Sequence, residues 1–481
     1  MAGAASEALV VGGGPAGATA AALLARWGHA VTLIAKPAAL TPDLGESIPP
    51  STDKLLDVIG VRGAIDGARF VRSTGNTVWW ASDTPRIELF AGDRPGWQVT
   101  SQAFADILLD HARSAGVDVR IGRADRAAAE DFRDGFVLDC TGRAGLLARG
   151  RGLRQYDSKY RTVAMVGVWR RAQGFALTDP SHTLIESYDG GWAWSVPRSP
   201  HERFVAVMID PRRLSGKGRP AGAAAPASAE CTKPGRARYR EQLSRTREMA
   251  RIIAGATLAA EPAGWDASMY RATSYVDGNV LLVGDAASFL DPLSSAGIKK
   301  ALASGWLAAI AVHTALARPA MRDTALAFFA AREAEVYEAY RAMTSQMFAE
   351  AAAGYAHPFW TDRSDEGNSA PDRPAIEEAF ERLRRSASFQ VTRGVEVRVE
   401  PRPAVRDTEI VLEPRLVSGD EDAGVRYTFG VDLLALIEMA PAYASVPELF
   451  AAYHQRHGPV ALPDVLGALA TALARKWLVW L

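Results

Sequence analysis

The chain has 481 residues, 48% of them apolar, and carries 55 basic against 55 acidic side chains. That length provides for about three domains, and the balanced charge leaves no bulk field to draw nucleic acid or an anionic membrane. Cys140 and Cys231, the two cysteines, lack close spacing to each other or to a histidine pair, so neither a disulfide framework nor a metal site is indicated. No run approaches the ~18 uninterrupted apolar residues of a membrane span. The first strand opens within eight residues, which leaves no room for a signal peptide and makes the cytoplasm the expected location.

The apolar run Ala8-Leu9-Val10-Val11 leads into Gly12-Gly13-Gly14-Pro15-Ala16-Gly17 and an alanine-rich stretch to Arg26. Strand, tight turn and helix start are what a dinucleotide pyrophosphate needs. Gly12 permits the turn, Gly14 lets the backbone approach the phosphates, and Gly17 allows close helix–strand packing. The helix N-terminus supplies unpaired N–H groups to the anion. NAD and FAD enzymes share this motif. The next strand, 30–34, ends at Ala35 and Lys36, where an acid about 20 residues on would bind the ribose. The ribose partner is unassigned; Glu46 is an alternative that belongs to a different motif.

Further along, residues 98–116 read as a helix with Phe104, Ile107, Leu108 and Ala112 on one face. Strand-like alternation marks 76–80, 162–171, 183–188, 192–196 and 204–209. Residues 215–235, rich in Gly, Ala, Pro and Ser, read as a mobile surface loop. A second strand-to-turn unit follows, Val280-Leu281-Leu282-Val283-Gly284-Asp285-Ala286-Ala287, then Asp291-Pro292-Leu293-Ser294-Ser295-Ala296-Gly297. Residues 302–353 are helical in pattern. Three strands (395–399, 409–416, 425–429) and three helices (from Val431, 446–456 opening at Ser445, and 463–475) end the chain with the apolar run 477–481.

The second motif resembles the second FAD fingerprint of aromatic hydroxylases. With Gly45-Glu46-Ser47-Ile48-Pro49-Pro50, Gly191-Trp192-Ala193-Trp194-Ser195-Val196-Pro197, the strand 136–143 with Asp139-Cys140-Thr141-Gly142, and His357-Pro358-Phe359-Trp360-Thr361-Asp362-Arg363, it resembles the flavin-dependent tryptophan halogenase branch of the FAD monooxygenases. The resemblance covers roughly residues 8–363. It implies an α/β FAD-binding fold with two dinucleotide fingerprints. FAD-binding segments would be 1–70, 101–155 and 266–320, with an antiparallel substrate sheet inserted as 71–100 and 156–265. A helical segment, 321–394, and a winged-helix-like domain, 395–481, would follow.

The resemblance also implies one non-covalent FAD. Gly12, Gly14, Pro15, Ala16 and Gly17 would lie at the pyrophosphate and Glu46 and Ser47 beside the flavin. Gly284 and Asp285 would hold the ribityl chain, and Pro292 with the amides of Ser295, Ala296 and Gly297 the pyrimidine end of the ring. Trp79, Trp80, Trp192 and Trp194 are the candidate walls of a substrate pocket. Lys299 and Lys300 read as solvated or capping charges, with a flavin contact as the alternative.

Two departures separate the chain from halogenases. The lysine that hands on the halogenating species is missing from 72–80, and Ser294 stands where a glutamate is used. Ser101-Gln102-Ala103-Phe104-Ala105 also lacks the Arg and Asp of the hydroxylase "R-x-x-F-D" segment. What remains implies hydroxylation of an aromatic ring through a flavin C4a-hydroperoxide, formed from O₂ with electrons from NAD(P)H or a reduced flavin. The flavin carries that chemistry, so no catalytic side chain is named.

The run 427–478 is similar to peptide-recognition domains of ribosomal-peptide maturation enzymes; dimerisation or packing is the alternative, and the few basic residues around Leu466 disfavour DNA. Within the group the chain is most similar to the branch that matures quinohemoprotein amine dehydrogenase. There a small-subunit tryptophan is dihydroxylated towards cysteine tryptophylquinone. That branch implies the small subunit and a radical SAM enzyme as partners. A monooxygenase of a free indole or phenol and a non-catalytic flavin-binding peptide recruiter are the other readings.

Overall fold

Six strands form the first sheet, in the order Val276–Asp277, Val280–Leu282, Phe136–Asp139, Ala8–Val11, Val31–Ala35, Asp118–Ile121. All but the first pair are parallel. The computed structural model describes residues 7–37, 43–92, 94–133, 135–213, 235–364, 373–386, 388–418 and 424–481. Nearly all of the expected loop 215–235, with Cys231, lies outside them, as does 419–423 of the expected turn.

The central strand is buried at every position, as a parallel sheet covered on both faces requires. Helix Pro15–Arg26 follows it and packs against Gly297–Ala317 and Ser101–Ser114. By length and composition Gly297–Ala317 could cross a bilayer, but 67% of its apolar window is buried inside the protein. A 33-residue helix, Arg322–Gly354, packs beside it.

An eight-stranded sheet is inserted between the segments of the first. Its order is Thr257–Leu258, Val163–Arg170, Glu202–Ile209, Gly191–Ser199, Thr183–Tyr188, Gly75–Trp79, Arg86–Leu89, with Ala263–Asp266 also on Val163–Arg170. Two apolar clusters cover its two faces, one around Trp192, Val196 and Met208, the other around Met165, Ala193 and Val207. Adjacent strand residues thus serve different cores. The segment read as a helix from 98 is strand Gly96–Thr100 and helix Ser101–Ser114. Thr100 divides them: its hydroxyl caps the helix by accepting from Ala103 N.

Met1–Glu366 and Gly367–Leu481 are the two compact units. The second contains helix Arg373–Arg385, the long hairpin Val397–Arg406/Glu409–Ser418, and helices Leu433–Met439, Val446–His457 and Leu462–Ala474. The Ser445 hydroxyl caps Val446–His457 by accepting from Glu448 N. Leu416, Val431, Leu436, Leu449, Leu469 and Trp477 centre its core.

Candidate functional site

The turn after the first strand is dictated by close approach. Gly12 has φ +113°, and a Cβ there would lie 2.2 Å from Cys140 O; one on Gly17 would lie 1.9 Å from Gly12 O. Neither position admits a side chain. Gly14, by contrast, caps helix Pro15–Arg26 with nothing within 4 Å of its added Cβ. This is the opening a pyrophosphate needs beside unpaired helix amides. Ala35, buried at the end of the second strand, packs against Gly13 and offers no carboxylate to a ribose.

The second motif closes on the first. Gly284 has φ +64°, and its added Cβ would lie 2.9 Å from Ala16 Cβ. Ser304 Oγ accepts from Gly284 N at 2.8 Å. Lys300, fully within the helix Gly297–Ala317, donates from Nζ to Gly284 O at 2.9 Å, to Ser288 O, and to Asp285 Oδ1 at 3.4 Å. Tyr270 OH donates to Asp285 O at 2.7 Å.

A cavity of about 290 Å³ opens between this turn and the eight-stranded sheet. Pro15, Glu46, Ser47, Asp285, Pro292, Ser295 and Gly297 line it, with Asp291, Arg143 and Lys300. Trp192, Trp194, Met208, Trp265, Ile185 and Val196 line it as well. Gly12, Gly14, Ala16, Gly17, Gly284 and Ala296 are not on its wall; they shape the two turns behind it.

Ser295 adopts φ +48°, which bends the chain into the helix at Gly297. Of the three amides expected at the pyrimidine end, two are used inside this turn. Ser295 N donates to Pro292 O and Ala296 N to Ser294 Oγ. The third, on Gly297, begins the helix without an intrahelical acceptor, and Gly297 lines the cavity.

Trp192 and Trp194 alternate onto the cavity face. Trp79 and Trp80 do not line it. Val78 faces the cavity-side cluster, so Trp79 turns to the opposite core with Trp169 and Leu184. Trp80 returns to the first side beyond the strand end, donates Nε1–H to Met347 O at 2.9 Å and meets Trp360 edge-on at 5.4 Å. Two consecutive tryptophans cannot both wall one pocket, because successive strand side chains alternate.

Electrostatics concentrate at the motif end. Burial and the neighbouring Asp285 charge push the Glu46 carboxyl up to about 7. Burial raises Asp291 to about 6, partly offset by Leu293 N and by Arg363; Asp291 Oδ2 is buried without a partner. Glu333 is also raised by burial, against the pull of Lys300. Sequence reasoning missed Glu333, Arg143 and Trp265, and put a solvated or capping role for Lys300 ahead of a flavin contact. Their roles depend on contacts between distant segments, and only the motif neighbourhood of Lys300 hinted at one.

A glycine opening at a helix start, a second turn locked against it and an adjoining cavity fit FAD. A family model described as tryptophan halogenase matches residues 81–394, and one described as FAD binding domain matches residues 5–135. The chain belongs to the tryptophan halogenase family. Like other members, it binds FAD.

Within the family the chain is 28% identical to tryptophan 2-halogenase of Chondromyces crocatus over 348 residues, 67% of this chain and 63% of that protein. It thus spans less than two thirds of that relative's length. It is 25% identical over 412 residues to flavin-dependent halogenase armH3 of Armillaria mellea, covering 77% and 80%. The fold is similar to that of CmlS, a flavin-dependent halogenase, with TM-score 0.76, 23% identity and 94% and 93% coverage. It is also similar to the peptidyl tryptophan dihydroxylase QhpG, essential for tryptophylquinone cofactor biogenesis, with TM-score 0.65, 23% identity and 95% and 100% coverage.

Proposed function

We propose that the chain is a flavin-dependent monooxygenase that hydroxylates an aromatic ring, best a tryptophan carried on a peptide, and that it does not halogenate. One observation carries the reading. Among the described residues that line the cavity Lys300 is the only lysine, and its ammonium is committed to Gly284 O, Ser288 O and Asp285. No lining amine is left to take up and hand on a halogenating species. Ser294 Oγ, in the place of the halogenase glutamate, donates to Asp291 O within its turn. The names of the halogenase relatives favour the opposite reaction, which makes product analysis the decisive test.

Reduced FAD, when bound, supplies an activated oxygen derived from O₂. The chain's own residues do the rest. Trp192, Trp194, Trp265 and Met208 provide apolar and aromatic surface that positions a flat ring and excludes water. The Gly297 amide at the helix start offers a donor to negative charge on the flavin ring. Electrons come from NAD(P)H, directly or through a reduced flavin.

Trp192, Trp194, Trp265, Ile185, Val196 and Met208 give the cavity a broad uncharged surface. Likeness to QhpG along its whole length supports a peptidyl substrate. So does the second unit, which we read as a winged-helix-like peptide-recognition module. In its long hairpin Pro401, Pro403 and Pro414 lack N–H donors and block strand addition at both edges. Tyr427, Phe429 and Leu462 are instead exposed at 46%, 60% and 42%, beside the helix Leu462–Ala474, where an added Cβ at Gly467 would lie 2.9 Å from the Phe429 ring. This is the surface for the peptide. The partner in this reading is a tryptophan-bearing protein such as the small subunit of a quinohemoprotein amine dehydrogenase, crosslinked by a radical SAM enzyme, in the cytoplasm. Incubation with that subunit and with free tryptophan, read by mass spectrometry, tests it: oxygen is added to the subunit, and oxidation of free tryptophan alone would overturn the peptidyl assignment.

A further inference from the structure

Residues 142–161 carry six basic side chains against one acid, Asp157. Asp157 is taken by Arg341 at 2.9 Å, and Arg151 meets Asp277 at 2.7 Å. Arg143, Arg154 and Arg161 meet rings instead. The strands Arg154–Tyr156, Tyr270–Ala272 and Ser288–Phe289 form a three-stranded antiparallel sheet. Its register sets Tyr156 opposite Tyr270 and Tyr270 opposite Phe289, so three aromatic side chains stand in one row across the strands. Arg161 lies over Tyr156 at 4.4 Å, Arg154 over Tyr270 at 3.9 Å and Arg143 over Phe289 at 4.7 Å. None of these three guanidinium groups has an ion-pair partner among the described residues. Arg154 is also fixed in place. Its Nη1 donates to Arg143 O at 2.7 Å, its Nε and Nη2 are buried without partners, and a Cβ on Gly145 would lie 2.2 Å from Nη2. The row runs from Tyr156, 38% exposed, to Arg143 and Phe289 on the cavity wall.

We propose that this row of arginines docks the phosphates of the nicotinamide dinucleotide that reduces the flavin, which rests on the reading of the chain as a flavin monooxygenase fed by NAD(P)H. Arginine suits both neighbours here, because its planar fork pairs with phosphate oxygens while its face stacks on a ring. A positive charge held against apolar rings without a counter-charge is costly while empty, and the cost is offset when an anion arrives. Arg143 and Arg154 take the pyrophosphate, and the exposed Tyr156 offers a ring on which the adenine stacks. The nicotinamide end is then directed to the cavity. There it gives up a hydride and leaves as NAD(P)⁺, while the flavin takes up that hydride and one proton. The opening at Gly14 is left to the pyrophosphate of FAD itself.

The test is calorimetric titration of the FAD-loaded protein with NAD⁺ and with NADP⁺, which are already oxidised and do not react. At least one of them binds, more weakly as salt rises, and the tighter identifies the donor. Arg143→Gln and Arg154→Gln keep their flavin and bind that nucleotide about tenfold more weakly. Arg151→Gln, whose partners are Glu130 and Asp277, binds it as wild type does. Wild-type protein that binds neither nucleotide, or Arg143 and Arg154 variants with unchanged affinity, would overturn the proposal. So would loss of FAD from Arg143→Gln, which would assign that side chain to the phosphates of the flavin. Should Arg154→Gln not fold, Arg143→Gln decides alone, since its side chain stacks on Phe289 and holds no strand in place. Neither nucleotide is turned over, so the outcome is independent of whether oxygen or halogen is transferred, and the two readings fail separately.

Discussion

The Cβ of Ala16 lies 2.9 Å from where a Cβ on Gly284 would stand, so the two glycine motifs of this chain are one object. The first helix start and the second turn lock together, and the cavity opens beside the joint. Each glycine near it therefore has a separate consequence when replaced.

Gly14→Val is expected to fold, because its side chain meets no protein atom within 4 Å of the Cβ, yet to lose FAD by filling the space of the pyrophosphate. Gly17→Ala is expected to lower the folded yield itself, since its Cβ would sit 1.9 Å from Gly12 O. Flavin content and thermal melting of the two purified proteins separate these outcomes. Full flavin content in Gly14→Val would show that the pyrophosphate binds elsewhere.

Glu46→Gln is expected to stabilise the FAD-free protein at pH 8 and to change it little at pH 4. Glu46 is raised from 4.5 to about 7 in the fold. Its stability contribution is thus complete below the unfolded value and is lost as pH climbs through the folded one. The shift corresponds to at most about 3 kcal/mol, reduced by water reaching the partly exposed side chain. Melting curves at the two pH values check the sign, and a Gln variant equally stabilised at both would refute the assignment.

The eight-stranded sheet was legible because its strands alternate cleanly: Trp192, Trp194 and Val196 share a face in sequence and in space. Trp79 and Trp80 misled because aromatic composition was read without that alternation. The boundary at Thr100 was blurred, since strand residues Gln98 and Val99 continue into an amphipathic helix without a glycine or proline break. Lys300 was unreadable for a deeper reason. A helix-start lysine looks the same in sequence whether its ammonium meets water or the carbonyl of Gly284, and only the return of a distant strand decides.

Removal of residues 367–481 is expected to leave FAD bound by the first unit while oxidation of a protein-borne tryptophan falls by about tenfold or more. Contacts remote from the reacting carbon position a substrate that loses much freedom on binding. Mass-shift rates of full-length and truncated enzyme at equal flavin content measure this. Equal rates would assign the second unit to dimerisation instead.

The central claim is oxygen transfer without halogen transfer, and one measurement addresses it directly. The FAD-loaded enzyme is supplied with a reductant, isotopically labelled dioxygen, bromide in excess and a tryptophan-bearing protein substrate, and the modified tryptophan is identified by tandem mass spectrometry. The expected product carries the oxygen label on the indole ring and no bromine. A brominated ring, with no label incorporated, would contradict the account and place the chain with its halogenase relatives in activity as well as in family.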